Sequence, residues 1–185
     1  LYHSAEGRIV AARGEPVHGA DGALTLRIGG DVPDTVAERF RWIEAGVRLS
    51  VDPADVPRLD TLLTHQLLLV QEDAAGRVLA ATTAQLPGLL DDRFASAEAI
   101  DDLGVTMERG RTGFKLWAPT ARKVSLCLDP ARGHGRIERP MRLDPATGAW
   151  QLELRGEHHG GHYRYAVEVF VRGVGVVRNL VTDPY

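Results

Sequence analysis

At 185 residues, 44% of them apolar and 25% charged, the chain has ordinary globular chemistry and room for one large domain or two of about ninety residues. It is too short for a (β/α)₈ barrel, which takes about 250 residues, and so for any chemistry that lives on one. The formal charge of −3 comes from 22 basic and 25 acidic side chains that form no blocks, a pattern that offers no footprint to nucleic acid or to an anionic membrane. The single Cys127 rules out an intrachain disulfide, so packing has to hold the fold. No long apolar run is present, and Leu1-Tyr2-His3-Ser4 has neither a basic nor an apolar signal region. That start, and the final Asp183-Pro184-Tyr185, read as the cut ends of something longer.

Charge is unevenly divided. Residues 1–98 hold 9 basic and 15 acidic side chains, residues 99–185 hold 13 and 10. The change coincides with Pro87-Gly88 and the polar stretch 91–102, which places a domain boundary near residue 98. In the first part, residues 8–12, 23–28 and 47–51 read as short strands, and residues 34–42 as a helical turn or two, since Val36, Phe40 and Ile43 recur at helical spacing. A helix capped by Asp52 or Asp55, with Pro53 or Pro57 in its first turn, carries Val56, Leu59, Leu62 and Leu63 on one face. Residues 66–72 and 77–83 flank Asp73-Ala74-Ala75-Gly76 as a β-hairpin. The expectation is a small α+β domain.

The second part reads as strands throughout: 105–108, 113–117, 123–128, 137–143, 149–154, 162–171 and 174–179. Alternation is clean in Val124-Leu126-Leu128 and in Trp150-Leu152-Leu154, and turn residues fall between the runs. Strands at this spacing predict an immunoglobulin-like β-sandwich, so the chain as a whole is mostly β.

Candidate chemistry is sparse. Asp91 and Asp92 are adjacent, so on helix or strand they diverge and cannot flank one scissile bond. His158, His159 and His162 lack a carboxylate or thiol at ligand spacing, and Gly160-Gly161 between them suits a hairpin tip. No metal or other cofactor is expected. Gly133-His134-Gly135 and Gly173-Val174-Gly175 lack the third glycine and the helix of a phosphate loop, and no serine stands in a nucleophile-elbow context. Aromatic platforms for sugar rings would have to come from Trp42, Trp117 or Trp150. Trp117 and Trp150 are expected in or beside the core. Tyr163 and Tyr165 alternate with Arg164 and should share one side of their strand.

The run Phe114-Lys115-Leu116-Trp117-Ala118-Pro119-Thr120-Ala121 followed by Val124-Ser125-Leu126 resembles the F-x-L-W-A-P-T-A-x-x-V-x-L signature of bacterial pullulanase-type starch-debranching enzymes. Leu62-Leu63-Thr64-His65-Gln66-Leu67, Gln85-Leu86-Pro87-Gly88-Leu89-Leu90-Asp91-Asp92-Arg93-Phe94-Ala95, Leu103-Gly104-Val105 and Thr182-Asp183-Pro184-Tyr185 resemble further segments of the same family, in the same order. The resemblance implies that residues 1–98 are the family's N-terminal α+β domain, and 99–185 its early-set sandwich, classed as a starch- and glycogen-binding module. It implies no catalytic residue here, because the Asp nucleophile and Glu acid/base of a retaining α-1,6 cleavage belong to a barrel expected beyond Tyr185. The implied partners are that barrel and an α-glucan, and relatives are often exported.

Related glycogen-binding sandwiches hold sugar with two Trp, a Lys and an Asn. The strand His162-Tyr163-Arg164-Tyr165 resembles their H-x-Y-K strand, which makes Arg164, with Tyr163 and Tyr165, the candidate glycan-binding set. No Trp follows that strand and none stands in residues 129–136, so a complete sugar site is not carried over. An autonomous α-glucan-binding module and a protein-interaction sandwich are the alternative functions. The crowding of Val174, Val176, Val177, Leu180 and Val181 predicts self-association of the fragment through its last strand.

Overall fold

The computed structural model describes residues 1–43, 46–131 and 135–185. By packing, the chain forms two compact units, Leu1–Ala84 and Gln85–Tyr185.

In the first unit, β1 (Tyr2–Ser4), β2 (Gly22–Ala23), β5 (Gln66–Glu72) and β6 (Val78–Thr83) make a sheet in the order β2-β1-β5-β6, and β3 (Leu26–Ile28) pairs with β4 (Leu49–Val51). The run expected as one strand over 23–28 is thus split between two sheets. β1 carries Tyr-His-Ser rather than an alternating pattern, which is why it has no sequence signal. The β5–β6 hairpin closes as expected: the Asp73 carboxylate accepts from the backbone N–H groups of Ala75 and Arg77, both at 2.9 Å, and Gly76 supplies the positive φ of the turn. Asp52 accepts from Ala54 N at 3.0 Å and caps a 3₁₀ turn, Pro53–Arg58, that runs into α2 (Leu59–Leu62). Leu62 and Leu63 are buried, whereas Val56 is exposed, because the 3₁₀ start rotates it off the face that an α-helix would have given it. α1 (Asp34–Arg39) buries none of its residues.

His3 of β1 is buried, and neither ring nitrogen has a hydrogen-bond partner among the described residues. A Cβ on Gly22, its neighbour in the β1–β2 register, would lie 2.8 Å from His3 Nε2. The ring is therefore sealed by backbone.

The second unit opens with α3 (Pro87–Arg93) and a 3₁₀ turn, Ala95–Ala99, where composition suggested a polar connection. Phe94 is buried against Gly148, Arg93 donates to Pro145 O at 3.2 Å, and Ser96 to Ala146 O at 2.9 Å. The rest is the expected sandwich. One sheet runs β10 (Ile137–Pro140), β9 (Lys123–Asp129), β13 (His162–Val171), β14 (Gly175–Val181). The other runs β11 (Arg142–Asp144), β12 (Ala149–Arg155), β8 (Arg111–Trp117), β7 (Gly104–Glu108). All the pairings are antiparallel. The run 137–143, expected as a single strand, divides at buried Met141, whose N–H donates to Val124 O at 2.8 Å. Its two halves join opposite sheets, turning a corner of the sandwich.

The core lies between the sheets: Phe114, Leu116 and Trp150 face Val124, Leu126, Leu128, Tyr165 and Val167. The Trp150 indole N–H donates to Ala118 O at 3.0 Å. Trp117 is half-buried, on the outer side of β8 beside the core, where its indole N–H donates to Thr147 O at 2.9 Å. Tyr165 has no exposed surface and Tyr163 packs edge-on to Phe114 with ring centroids 5.1 Å apart. Both phenols donate to Asp183 Oδ2, Tyr165 at 3.4 Å, while Asp183 Oδ1 accepts from Tyr185 N at 3.1 Å. Burial, then the Asp183 carboxylate, pushes both phenols above their ordinary value, so they remain donors at any physiological pH.

Two stability predictions result. Asp183→Ala leaves the fully buried Tyr165 hydroxyl without its acceptor and should cost about 1–3 kcal/mol in urea unfolding of the sandwich. Adding Tyr165→Phe to that variant should recover part of the loss, since the orphaned group is then gone. An Asp183→Ala midpoint equal to wild type would contradict this role. For the first unit, burial and then the nearby Arg58 charge hold the His3 pKa below its ordinary 6.5, against an opposing pull from Asp21. The unfolded chain therefore binds more protons below pH 6.5, and stability should fall as pH drops through that value. His3→Leu should flatten this acid limb in thermal melts across pH 7 to 5, and an unchanged slope would rule out His3 as its cause.

Candidate functional site

β13 determines where the three candidate glycan residues stand. The register pairs Tyr163 with Leu128, Arg164 with Cys127 and Tyr165 with Leu126. The two tyrosines do share one side, and it is the inner one, where their hydroxyls are committed to Asp183. Tyr165 has no face open to solvent and Tyr163 is half-buried. Arg164 points the other way and is exposed. Alternation shows that two residues share a side, but which side is wet depends on the opposing sheet.

The outer face around Arg164 is built from small and charged residues. Ser125, Cys127 and Ala166 line its centre, and Cys127 and Ala166 are buried although they face away from the core. Arg178 on β14 and Glu138 on β10 stand on opposite edges of the sheet, yet Arg178 Nη2 lies 2.6 Å from Glu138 Oε1. Their bridge crosses β13 and β9 above the small side chains. Arg136 pairs with Asp129 at 3.1 Å and 3.3 Å. That hydrogen bond is the main reason the Asp129 carboxyl lies below its ordinary value, and Arg164 adds to the pull. Arg164 and Asp129 thus present a guanidinium donor and a carboxylate acceptor near each other, the polar pairing that a hydroxyl-rich ligand can use.

Elsewhere the candidate positions have structural work. Asp91 and Asp92 are consecutive on α3 and diverge. His158 accepts from Gly161 N through its carbonyl at 3.2 Å in the tip before β13, and His159 stands 3.6 Å from Glu157. Among the described residues no three His, Cys, Asp or Glu gather as a metal site. Gly173 and Gly175 have positive φ in the β13–β14 turn, while Gly133-His134 of the other glycine pair lies outside the described residues. Trp42 is 73% exposed. No helix is long and apolar enough to cross a membrane among the described residues. Asp183 is the residue that inspection of the sequence did not single out for a role of its own, because nothing in its spacing from Tyr163 and Tyr165 signals a contact 18–20 residues away.

Residues 1–92 match the Pullulanase N2 domain family, and residues 102–185 match carbohydrate-binding module 48, the isoamylase N-terminal domain. The chain is 31% identical to a pullulanase of Klebsiella pneumoniae over all of its own length and 17% of that relative. It is 34% identical to the chloroplastic pullulanase 1 of Arabidopsis thaliana over 76% of this chain and 14% of that one. In three dimensions it follows a crystal structure of apo pullulanase from Klebsiella pneumoniae over its whole length with a TM-score of 0.85 at 30% identity, covering 19% of that chain. A maltotriose complex of the same species' pullulanase gives 0.83 at 31% identity, covering 17% of that chain. The expected fold and family both hold: this chain is a Pullulanase N2 domain followed by a carbohydrate-binding module 48 domain, homologous to the N-terminal region of pullulanases.

Proposed function

We propose that the chain serves as the non-catalytic N-terminal part of a pullulanase-type enzyme cleaving α-1,6 glucosidic links, bracing the catalytic barrel and touching the α-glucan. The N-terminal domain is read as residues 1–98 and the sandwich as 99–185. The supporting observation is the order of the two family matches over a chain that follows Klebsiella pullulanase along its whole length. Chemistry supports the non-catalytic role. Retaining cleavage needs two carboxyls about 5–5.5 Å apart across the scissile bond, whereas the one conspicuous pair, Asp91 and Asp92, diverges on α3.

Glycan contact is proposed for the face that presents Arg164, with Tyr163 and Tyr165 acting from behind it by anchoring β13 to Asp183. With Arg178 and Arg136 held in ion pairs to Glu138 and Asp129 and no exposed tryptophan on that face, the contact area is small. Self-association of the isolated fragment is proposed through β14, an edge strand on which Leu180 is 44% and Val181 37% exposed. A second reading, an autonomous α-glucan-binding module, draws its support from the match over residues 102–185.

The 185-residue chain should release no reducing sugar from pullulan above a mock preparation, and release would sink the non-catalytic reading. Deleting these residues from the parent enzyme should lower its yield and thermal stability, and an unchanged enzyme would sink the bracing role. Calorimetry with maltoheptaose should give a millimolar or weaker constant, no more than about 4 kcal/mol, weakened further by Arg164→Ala. A micromolar constant would favour the autonomous module instead.

A further inference from the structure

Several open cavities lie on the two units, and they differ in chemistry. Two furrows on the outer face of the β11-β12-β8-β7 sheet, of about 500 Å³ and 510 Å³, are bordered by the ion pairs Lys115–Asp102 and Arg111–Glu153, and the aromatic residue that lines the first, Phe114, has its ring in the core. The cavity of about 620 Å³ in the first unit has aliphatic walls from β3, β4 and β5. The fourth is different. At about 350 Å³ it lies between α3 with its following 3₁₀ turn and the sandwich, and its lining includes Leu90, Phe94, Glu98, Trp117 and Tyr185.

Its parts are arranged as a small-ligand site. Trp117 is pinned by the hydrogen bond from its indole N–H to Thr147 O, so the ring is a fixed wall whose orientation costs nothing further on binding. Phe94, 7% exposed, and Tyr185, 57% exposed and tied at its backbone to Asp183, line the groove with it. Asp91 and Glu98 also line it. Glu98 has no partner among the described residues.

Flat aromatic surface flanked by hydrogen-bond acceptors suits a ring with an apolar face and hydroxyl edges. The Glu98 carboxylate disfavours a phosphate-bearing ligand on the same aromatic surface. The volume is that of a modest small-molecule site, at the low end of about 300–1,000 Å³.

We propose that this groove is a second glycan subsite, separate from the Arg164 face, that holds a glucose ring of an α-glucan between Trp117 and Tyr185 with Glu98 accepting from its hydroxyls. The inference rests on the α-glucan reading above. It can be tested on the 185-residue chain by titrating maltotriose and following the three tryptophan indole N–H signals and the backbone amides by NMR, with the Trp117 signal identified from Trp117→Phe. The Trp117 signal should move saturably. Tyr185→Ala and Glu98→Gln, both at exposed positions, should each weaken the apparent constant about three- to tenfold, and Arg164→Ala should leave it unchanged. A Trp117 signal that stays still while amides around Arg164 move overturns the groove and leaves the α-glucan reading standing. Movement nowhere overturns both. A Trp117 signal that shifts with protein concentration, and not with maltotriose, assigns the groove to a protein contact and overturns the subsite.

Discussion

A phenol hydroxyl buried in a protein core needs an acceptor there, because leaving it unpaired costs about 1–3 kcal/mol. The sandwich buries one tyrosine completely and another in part, on the same strand, and both are answered by the single carboxylate of Asp183. That requirement sets the path of the last residues. After β14 the chain must bring Asp183 over the end of the core, which lays it against Gly104 at the start of β7. There φ is +87°, and a Cβ would approach both Asp183 Oδ2 and Tyr185 Cβ to 3.3 Å. Glycine is required at that point by both conformation and space. One polar interaction thus joins the end of one sheet to the first strand of the other.

With the inner sides of β13 spent on the core, any recognition has to use outer surfaces, and these differ on the two sheets. Around Arg164 the sheet keeps small residues at its centre under the Arg178–Glu138 bridge. Exposed ion pairs of this kind contribute little stability, so its main effect is to shape a flat, polar face. On the other sheet the half-buried Trp117 projects outward beneath α3, and its N–H is satisfied by Thr147 rather than by solvent. A residue of the signature run is therefore neither core nor free platform. It forms the wall between the sandwich and the helix before it.

The first unit follows another logic. Its sheet includes a buried histidine with no hydrogen-bond partner among the described residues, packed against Gly22, and this burial favours the neutral ring. α1 buries none of its residues, and Phe40, Trp42 and Ile43 just beyond it are exposed. Helical spacing of apolar residues was visible in the sequence there, but a spacing only proposes a face. Burial depends on what packs against it.

What the sequence determined by itself were the local elements with strong period or strong turn chemistry. The alternations Val124-Leu126-Leu128 and Trp150-Leu152-Leu154 placed inner-facing positions of the sandwich, and Asp73 to Gly76 specified the β5–β6 turn through a side-chain acceptor and a positive φ. The ordered motifs were enough to give the family. Tertiary structure decided whatever needed a distant partner. It split 137–143 between two sheets at Met141, recruited the unpatterned Tyr2–Ser4 as a strand, and folded the polar stretch after Pro87 into a helix held by Phe94. It also turned Tyr163 and Tyr165 inward toward Asp183. Periodicity records which residues share a side, whereas the identity of the buried side depends on contacts between segments far apart in the chain, and local pattern carries no information about those.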